Sequence, residues 1–451
     1  MTEGRISVDM SSMEGQLSAL VRQKIVAAQE APVPHHTRRD VRLPGVPRKA
    51  VAVVGIRRAG KTTFLWQLLA ERVAAGTPRR GLLYFSFEDE RLTGMTAADL
   101  GLVVEEFYRL NPEWRDARRA TFFLDEVQVV PEWERFARRL LDTEQVDLVL
   151  SGSSAKLLSR EVATAMRGRS MEARVFPFSF REFLRHHGRE PTGPSARLTK
   201  AARSALDRDL AAYLTVGGFP EAQGVQQRDR RDLLQGYVDV VLLRDVIERH
   251  AVSHPVALRW MTRHLLGNAG QLFSVHRFYR DLRSQGIPVA KDTLHAYLAH
   301  LEDAFLIQTV SVAGGSERRR MVNPRKAYPA DPALIPVFDR SGRENLGHAL
   351  ETCVALELLR RGADVSYVRT ADGYEVDFLA RDIDDAKALI QVCAEPKEPA
   401  TLERELRALE AAAAEHRRAK LHLITLRPET VRAVPRGVSV HSAAVWLLGE
   451  R

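Results

Sequence analysis

A complete phosphate-binding motif lies in residues 51–73, VAVVGIRRAGKTTFLWQLLAERV. Gly55, Gly60, Lys61 and Thr62 fit the spacing G-x-x-x-x-G-K-[ST]. Glycines permit a tight turn whose backbone amides face phosphate oxygens at the start of a helix. The motif predicts binding of a nucleoside triphosphate, with candidate contacts at Gly55, Arg58, Gly60, Lys61, Thr62 and Thr63.

A second motif, FFLDEVQ, supplies acidic groups at the end of an apolar run. Asp125 is expected to hold magnesium together with Thr62, and Glu126 to polarise the water that attacks the γ-phosphate. An isolated acidic pair is often only a turn or a helix cap, but after a complete phosphate loop it indicates ATP hydrolysis with Mg²⁺. In LVLSGSSAKLL, Ser151, Ser153 or Ser154 could sense the γ-phosphate, and we take Ser153 as the candidate sensor.

These side chains must be positioned by strands and helices that alternate along the chain. Residues 51–54, 82–87, 121–124 and 146–150 are apolar and short enough to be buried strands. Helical stretches separate them, and Phe64, Leu65, Leu68 and Leu69 give the helix after the loop an apolar face. The pattern predicts an α/β fold with a mostly parallel sheet covered on both faces.

Composition limits the remaining possibilities. With 451 residues, 45% hydrophobic and 28% charged, the chain has room for about three domains. We find no apolar run that could span a membrane and no signal-peptide pattern, so a cytoplasmic protein without a membrane partner is expected. Cys353 and Cys393 are too few for a disulfide framework or a cysteine zinc site, and the histidines lack metal-ligand spacing.

The net charge of +9 favours a polyanionic partner, because lysines and arginines displace counterions from nucleic-acid phosphates. Residues 151–200 contain ten basic and four acidic residues, and Arg318, Arg319 and Arg320 form a second basic cluster. A solvated basic surface without a ligand explains the charge equally well.

Several motifs in one order resemble the prokaryotic AAA+ ATPases that carry a C-terminal domain of unknown function. They are GIRRAGKTT, YFSFEDERL, FLDEVQ, LVLSGSSAKLLS, the Arg167-Gly168-Arg169 step before VFPFSFREFL, YLTVGGFPEA and LLRDVIERH. The resemblance, from about Val51 to the end, implies a P-loop AAA+ core, a helical lid, a winged helix-turn-helix and a restriction-endonuclease-like α/β domain. The expected limits are 1–45 for an N-terminal helical arm and linker, 46–190 for the core, 191–255 for the lid, 256–330 for the winged helix and 331–451 for the endonuclease-like domain.

The resemblance also implies an arginine finger, since a neighbouring subunit's arginine commonly completes the AAA+ site. Arg169 is the candidate and Arg167 the second choice, although either fits a structural arginine paired within its own subunit. A finger supplied in trans requires a homo-oligomer, and the family implies a ring of six.

Residues 273–310 have the layout of a winged helix-turn-helix, with helices over 275–284 and 291–301 around a turn at 285–288. The second helix offers few cations, so structure-directed DNA binding through phosphates is expected. The alternative is a winged helix that only packs against protein. The candidate DNA contacts are Lys291, Arg318, Arg319 and Arg320.

The last domain resembles the restriction-endonuclease-like fold. Glu351 matches the helix glutamate, Asp377 the strand aspartate and Gln391 the first residue of the metal-binding triplet, but Cys393 stands where the lysine belongs. A neutral thiol cannot stabilise an attacked phosphate, and Lys397 is the nearest substitute in sequence. A nuclease-derived binding module is therefore expected rather than an active nuclease.

Three functions remain open at this point. The first is an ATP-driven DNA motor on branched DNA, of the Holliday-junction branch-migration type. The second is an ATP-controlled switch that binds proteins. The third is an ATP-dependent nuclease of a defence or mobile-element system.

Overall fold

A computed structural model of the chain describes residues 10–115, 117–152, 166, 168–193, 198–314, 324–339, 345–395, 399–431 and 434–449. The chain forms two compact units. The first comprises Met1–Gly55 and Gly60–Val175, and the second comprises Ile56–Ala59 and Phe176–Arg451. Among the described residues, no helix combines the length and apolar character that a bilayer crossing requires.

The first unit is built on a parallel sheet. Its described strands are β1 (Ala50–Val54), β2 (Leu82–Ser86), β3 (Ala120–Asp125), β4 (Val146–Ser151) and β5 (Ser170–Arg174). They lie in the order β2-β3-β4-β1-β5, and all their pairings are parallel. Every residue of β3 is buried, as expected for a strand covered on both faces. The predicted α/β class, its parallel core and its strand positions are confirmed.

Four helices are described in the first unit: α1 (Met10–Glu30), α2 (Lys61–Ala74), α3 (Leu100–Leu110) and α4 (Trp133–Thr143). The predicted N-terminal helix, α1, is held against this unit. Its Val21 and Ile25 are fully buried. Arg22 Nε and Ser18 Oγ each donate to the buried carboxylate of Glu106 at 2.7 Å. These contacts attach α1 to α3.

The second unit begins with helices. They are α5 (Phe180–His186), α6 (Lys200–Val216), α7 (Gln227–Val240), α8 (Pro255–Gly267), α9 (Val275–Ser284), α10 (Lys291–Asp303), α11 (Leu334–Phe338), α12 (Leu346–Arg360), α13 (Pro399–Glu415) and α14 (Ala443–Leu448). After α7 the chain continues as a π-helical stretch, Val241–Ile247, and a last turn, Glu248–His250. The two helices predicted for the winged helix-turn-helix are confirmed as α9 and α10. The winged helix as a whole stays a prediction.

The described strands of the second unit form a mixed sheet. They are β6 (Leu272–Phe273), β7 (Ile307–Val312), β8 (Arg325–Pro329), β9 (Asp364–Arg369), β10 (Glu375–Arg381), β11 (Lys387–Val392), β12 (Lys420–Thr425) and β13 (Val438–Ser442), in the order β13-β12-β11-β10-β9-β7-β8-β6. β7 pairs with β9 in parallel, Ser311 opposite Ser366. The sheet therefore runs without interruption across the predicted domain limit at 330/331. One hydrophobic core joins α5, α6 and α12 to these strands.

Candidate functional site

The backbone after β1 needs its first glycine. Gly55 has φ +147°, and a Cβ at this position would lie 2.0 Å from the carbonyl oxygen of Val175. No side chain fits so close to a neighbouring strand's backbone. Gly60, with φ 92°, is the N-cap residue of α2. Because the first amides of a helix have no intrahelical acceptor, the first turn of α2 offers backbone donors that suit an anion.

Lys61 is the buried cation of this loop. It is 5% exposed, and its Nζ donates to the carbonyl oxygen of Gly55 at 3.1 Å. A charge kept out of water in this way interacts strongly with any anion brought to the loop. The contact holds the ammonium against the backbone at the start of the loop.

Asp125 is the centre of a hydroxyl cluster at the end of β3. It is 2% exposed, and its Oδ2 accepts hydrogen bonds from Thr62 Oγ1 and Tyr84 Oη, both at 2.9 Å. Its Oδ1 accepts from Ser151 Oγ. The sequence predicted the pairing of Thr62 with Asp125 and included Ser151 among three alternatives, but it missed Tyr84. The sequence carries no signal for Tyr84, because only the pairing of β2 with β3 brings it to Asp125.

No described lysine or arginine forms an ion pair with Asp125, whose partners are neutral hydroxyls. Burial, followed by the negative charge of Asp125, raises the pKa of Tyr84 well above its usual range, so Tyr84 stays a hydrogen-bond donor. Magnesium prefers oxygen ligands and usually takes one or two protein side chains plus phosphate oxygens. Thr62 and Asp125 therefore fit a magnesium ion in residue type and mutual distance.

Glu126 has an unusual backbone. Its φ of 53° lies in the left-handed region, which costs a residue with a Cβ about 1 kcal/mol or more. Its amide donates to Ser151 Oγ at 3.2 Å, and its carboxylate accepts a hydrogen bond from Gln128 Nε2. Strain of this kind is found at functional sites, where it directs a side chain away from the strand. Ser151 thus contacts both acidic residues of the motif.

Two arginines of the loop tip, which is grouped with the second unit, are engaged in ion pairs there. Arg57 makes a two-point contact with the buried Asp245, at 2.8 and 3.1 Å. Arg58, a candidate nucleotide contact, lies 3.0 Å from the exposed carboxylate of Glu221. Its φ of 65° is also left-handed.

The candidate arginine finger, Arg169, lies at the end of the first sheet where the strands begin, opposite the end that carries the phosphate loop. The carbonyl oxygen of Arg169 accepts from Ala50 N at 2.8 Å, at the start of β1. The phosphate loop follows the end of β1, roughly 13 Å further along the strand. The Arg169 side chain pairs with Asp142 and holds the pKa of that carboxyl below its usual range. Arg167 and the candidate sensor Ser153, with Ser154, lie outside the described residues.

The nuclease-like residues come together in the second unit. Glu351 on α12 and Asp377 on β10 converge on one ammonium group, that of Lys326 on β8. Its Nζ lies 3.1 Å from Glu351 Oε1, 2.8 Å from Asp377 Oδ1 and 2.9 Å from Glu375 Oε1. Tyr328 Oη donates to Glu351 at 2.8 Å. We call Lys326, Tyr328, Glu351, Glu375 and Asp377 the lysine–carboxylate cluster.

Gln391 and Cys393 flank this cluster. Asp377 Oδ2 accepts from Val392 N at 3.0 Å, and the Gln391 side chain accepts from Asp377 N at 3.2 Å. Cys393 is buried, and burial raises the pKa of its thiol to about 11. Sequence reasoning searched for a lysine next to Cys393 and found Lys397, which lies outside the described residues. It missed Lys326 because that residue is distant in sequence.

The DNA-contact candidates are only partly described. Lys291 is exposed at the first position of α10, and Arg318, Arg319 and Arg320 lie outside the described residues. α10 carries one lysine and three acidic residues in KDTLHAYLAHLED. Its charge therefore does not favour contact with phosphates.

Comparison with known proteins assigns two regions of the chain. A family model described as an AAA domain matches residues 47–184. A domain of unknown function, DUF8612, matches residues 207–343. The first match contains Gly55, Lys61, Thr62, Asp125, Glu126 and Arg169.

Two curated relatives span most of the chain. The uncharacterized protein MJ1544 of Methanocaldococcus jannaschii is 31% identical over 379 residues, covering 83% of this chain and 81% of the relative. An uncharacterized protein of Haemophilus influenzae is 29% identical over 334 residues, covering 74% and 80%. Among solved structures, the Walker-type ATPase PABY2304 of Pyrococcus abyssi aligns with 15% identity and a TM-score of 0.41, over 71% of this chain and 94% of that one.

Proposed function

Because this chain belongs to the same family as MJ1544 of Methanocaldococcus jannaschii and contains an AAA domain, we propose that it is an ATPase that couples hydrolysis of Mg-ATP to binding or remodelling of DNA. The observation that carries the ATPase half is the set of partners around Asp125. This buried carboxylate faces Thr62 and accepts hydrogen bonds only from neutral hydroxyls among the described side chains.

Each residue of the site has a role in this proposal. Gly55 and Gly60 shape the loop, and Lys61 stabilises the negative charge of the outer phosphates. Thr62 and Asp125 would hold magnesium, which neutralises phosphate charge when bound. Tyr84 and Ser151 position Asp125 through its two oxygens.

Glu126 is the proposed base that orients the attacking water. Its backbone turns out of β3 in the left-handed region, and Gln128 fixes one of its carboxylate oxygens. A carboxylate held in one orientation positions water with little reorganisation during the reaction. Ser151, at the end of β4, hydrogen-bonds both Asp125 and the backbone of Glu126. Ser153 stays a proposed sensor of the γ-phosphate.

We propose that the chain forms a homo-oligomer, a hexamer, in which Arg169 acts on the nucleotide of a neighbouring subunit. This arginine lies at the end of the sheet opposite its own phosphate loop, so it cannot reach a nucleotide bound there. As an arginine finger it would act on the nucleotide of a neighbouring subunit. Breaking its ion pair with the exposed Asp142 costs little, since surface pairs contribute about 0–1 kcal/mol.

The lysine–carboxylate cluster favours a protein that does not cleave DNA. Glu351 and Asp377 would be the metal ligands of a nuclease, but the buried ammonium of Lys326 lies within about 3.1 Å of both carboxylates, where a metal ion would have to bind. These residues do not fit a metal ion while Lys326 is in place. We therefore prefer a motor or remodelling enzyme on DNA, including branched DNA, to an ATP-dependent nuclease.

The proposal is tested by measuring ATP hydrolysis and particle size with no DNA and with single-stranded, duplex and four-way-junction DNA. We expect DNA to stimulate hydrolysis, and Lys61→Ala to abolish it. Glu126→Gln should retain ATP binding and accumulate as the oligomer, which is seen as a larger particle than the monomer. Hydrolysis that ignores all DNA, with no DNA affinity at low salt, would support the protein-binding switch instead.

A further inference from the structure

A cleft of about 530 Å³ opens between α7, α8 and α9 in the second unit. Its volume lies within the range of pockets that hold a ligand of nucleotide size. Arg231 of α7 and Trp260 and Arg263 of α8 stand on its rim, and Phe278 of α9 is part of its lining. None of these residues belongs to the nucleotide site or to the lysine–carboxylate cluster.

Two of the three helices around the cleft, α8 and α9, are strongly basic, whereas α7 carries three arginines and three aspartates. α8 and α9 together carry five arginines and one aspartate, in PVALRWMTRHLLG and VHRFYRDLRS. Arg231 and Arg263 form no ion pair with any carboxylate of the described residues, whereas the neighbouring Arg259 lies 3.8 Å from Asp239. Two rim guanidiniums are thus available to phosphate oxygens, which they bind with two-point geometry.

The cleft also presents aromatic surface. The Trp260 side chain is 44% exposed, three residues before Arg263 and so on the same face of α8. Deeper in the second unit, Phe278 contacts His264 and Phe273, with ring centroids 5.5 and 5.6 Å apart. A positive groove with an accessible ring is the arrangement that binds unpaired bases, because every base has a face that can stack.

We propose that this cleft binds single-stranded DNA, with phosphates on Arg231 and Arg263 and a base stacked on Trp260. The inference rests on the proposed action on DNA and names the place and form of contact. Duplex DNA fits less well, since its bases are already stacked on each other. Two aspartates, Asp281 and Asp339, also line the cleft. They favour a nucleobase over a simple anion, because exocyclic amino groups of bases donate to carboxylates.

This surface differs from the one that a winged helix usually offers. The second helix of that motif normally enters the DNA groove, and here it is α10, which carries three acidic residues and one lysine. The basic surface instead lies on α8 and α9. The charge distribution therefore favours binding of the DNA strand to α8 and α9 rather than to α10.

The test is fluorescence anisotropy of a labelled 20-nucleotide single strand with the full chain, over a series of salt concentrations. We expect Trp260→Ala to weaken binding roughly ten- to a hundredfold. Arg231→Gln and Arg263→Gln should each lower the slope of log K against log salt by about 0.7, one phosphate contact on a single strand. Arg259→Gln is the matched control, one residue from Trp260 and paired with Asp239, and should bind like wild type.

The outcomes separate this inference from the proposed function. If wild type binds single strands and all three cleft variants bind equally well, the cleft assignment is wrong and the DNA function stands. Wild type that binds no DNA of any form would remove both. Competition by an equal-length duplex or by polyglutamate as strong as that by the unlabelled strand would also overturn the assignment. Circular dichroism of each variant confirms folding, which substitution of these exposed side chains should leave intact.

Discussion

Asp125 in the first unit and Asp377 in the second are both buried aspartates on strands, at 2% and 8% exposure. Their partners differ. Asp125 accepts hydrogen bonds from Thr62, Tyr84 and Ser151, all neutral, whereas Asp377 faces the ammonium of Lys326 at 2.8 Å. The first carboxylate therefore has no cation beside it among the described side chains and suits a divalent metal ion, whereas the second shares the ammonium of Lys326 with Glu351 and Glu375.

The pKa of Lys326 shows how strongly the three carboxylates act on its ammonium. Burial lowers the pKa of its ammonium, but the charges of Asp377, Glu351 and Glu375 outweigh burial, and the pKa lies above its usual range. Burial, followed by the charge of Asp377, raises the pKa of Glu351. Residue type alone therefore does not identify a metal ligand; the charge of the neighbouring groups decides whether a carboxylate is available.

The largest expected effect comes from Asp125→Asn, which removes the charge while keeping the shape. ATP hydrolysis should fall at least about a thousandfold, because stabilisation of phosphate charge by a metal is worth several kcal/mol. Asp377→Asn is the matched control and should hydrolyse ATP at the wild-type rate per folded molecule. Steady-state phosphate release checks both, and equal losses in the two variants would remove the distinction between the sites.

Lys326→Met tests whether the stability of the lysine–carboxylate cluster depends on the ammonium of Lys326. Three carboxylates would lose their shared partner, and breaking a buried pair costs about 3–5 kcal/mol of unfolding free energy. Lys291→Met, at an exposed position, should change stability by less than about 0.5 kcal/mol. Urea unfolding of both variants gives the comparison. A Lys326→Met protein as stable as wild type would show that the ion pairs contribute nothing.

Asp331 is a third buried aspartate, and it shows the effect of burial on a carboxylate whose described hydrogen-bond donors are backbone amides. It is 1% exposed and accepts hydrogen bonds from the amides of Gly218 and Ala333. Burial raises the pKa of Asp331 to about 7. The unfolded chain therefore releases this proton at lower pH than the folded one, and stability falls as pH rises from about 4 to about 7, by no more than about 1.4 kcal/mol per pH unit.

The Asp331→Asn variant should lack this part of the pH dependence. Unfolding free energies of the two proteins, measured by urea titration between pH 4 and 8, should converge toward low pH and diverge in favour of the variant as pH rises. Parallel curves would mean that Asp331 ionises normally in spite of its burial.

Gly270→Ala should give the smallest effect. A Cβ on Gly270 would lie 2.9 Å from Glu351 Oε2, whereas nothing lies within 4 Å of a Cβ on Gly286. Both glycines have left-handed φ, +74° and +75°, so both variants pay the same backbone strain. Gly270→Ala should be less stable than Gly286→Ala by about 1 kcal/mol, the cost of shifting a packed group. Equal thermal midpoints would indicate that the Glu351 carboxylate moves freely.

The nucleotide site could be predicted almost completely from sequence because its residues lie in short, contiguous motifs. Gly55 to Gly60 form one loop, Lys61 and Thr62 begin the helix after it, and Asp125 ends a strand that Glu126 follows, so their order along the chain already defines their chemistry. Tyr84 was missed because an isolated tyrosine on an apolar strand carries no pattern. Its contact with Asp125 arises only from the pairing of β2 with β3.

The second unit shows the opposite case. Sequence matched Glu351, Asp377 and Gln391 to a nuclease pattern and found a cysteine in place of the lysine. It could not find Lys326, because that residue reaches the carboxylates from another strand and is joined to them only by the order β10-β9-β7-β8. Likewise, spacing defined α9 and α10, but only their packing shows which helices surround the cleft.

The sequence by itself determined that this protein has a phosphate loop, an acidic strand end, a parallel α/β core and a basic overall charge, because local spacing and periodicity encode these features. The tertiary structure decided which carboxylates have a cation beside them. It also decided where arginines that form no ion pair among the described residues lie close together. Those properties depend on distances of about 3 Å between groups that are far apart in the chain, and only the folded backbone sets such distances.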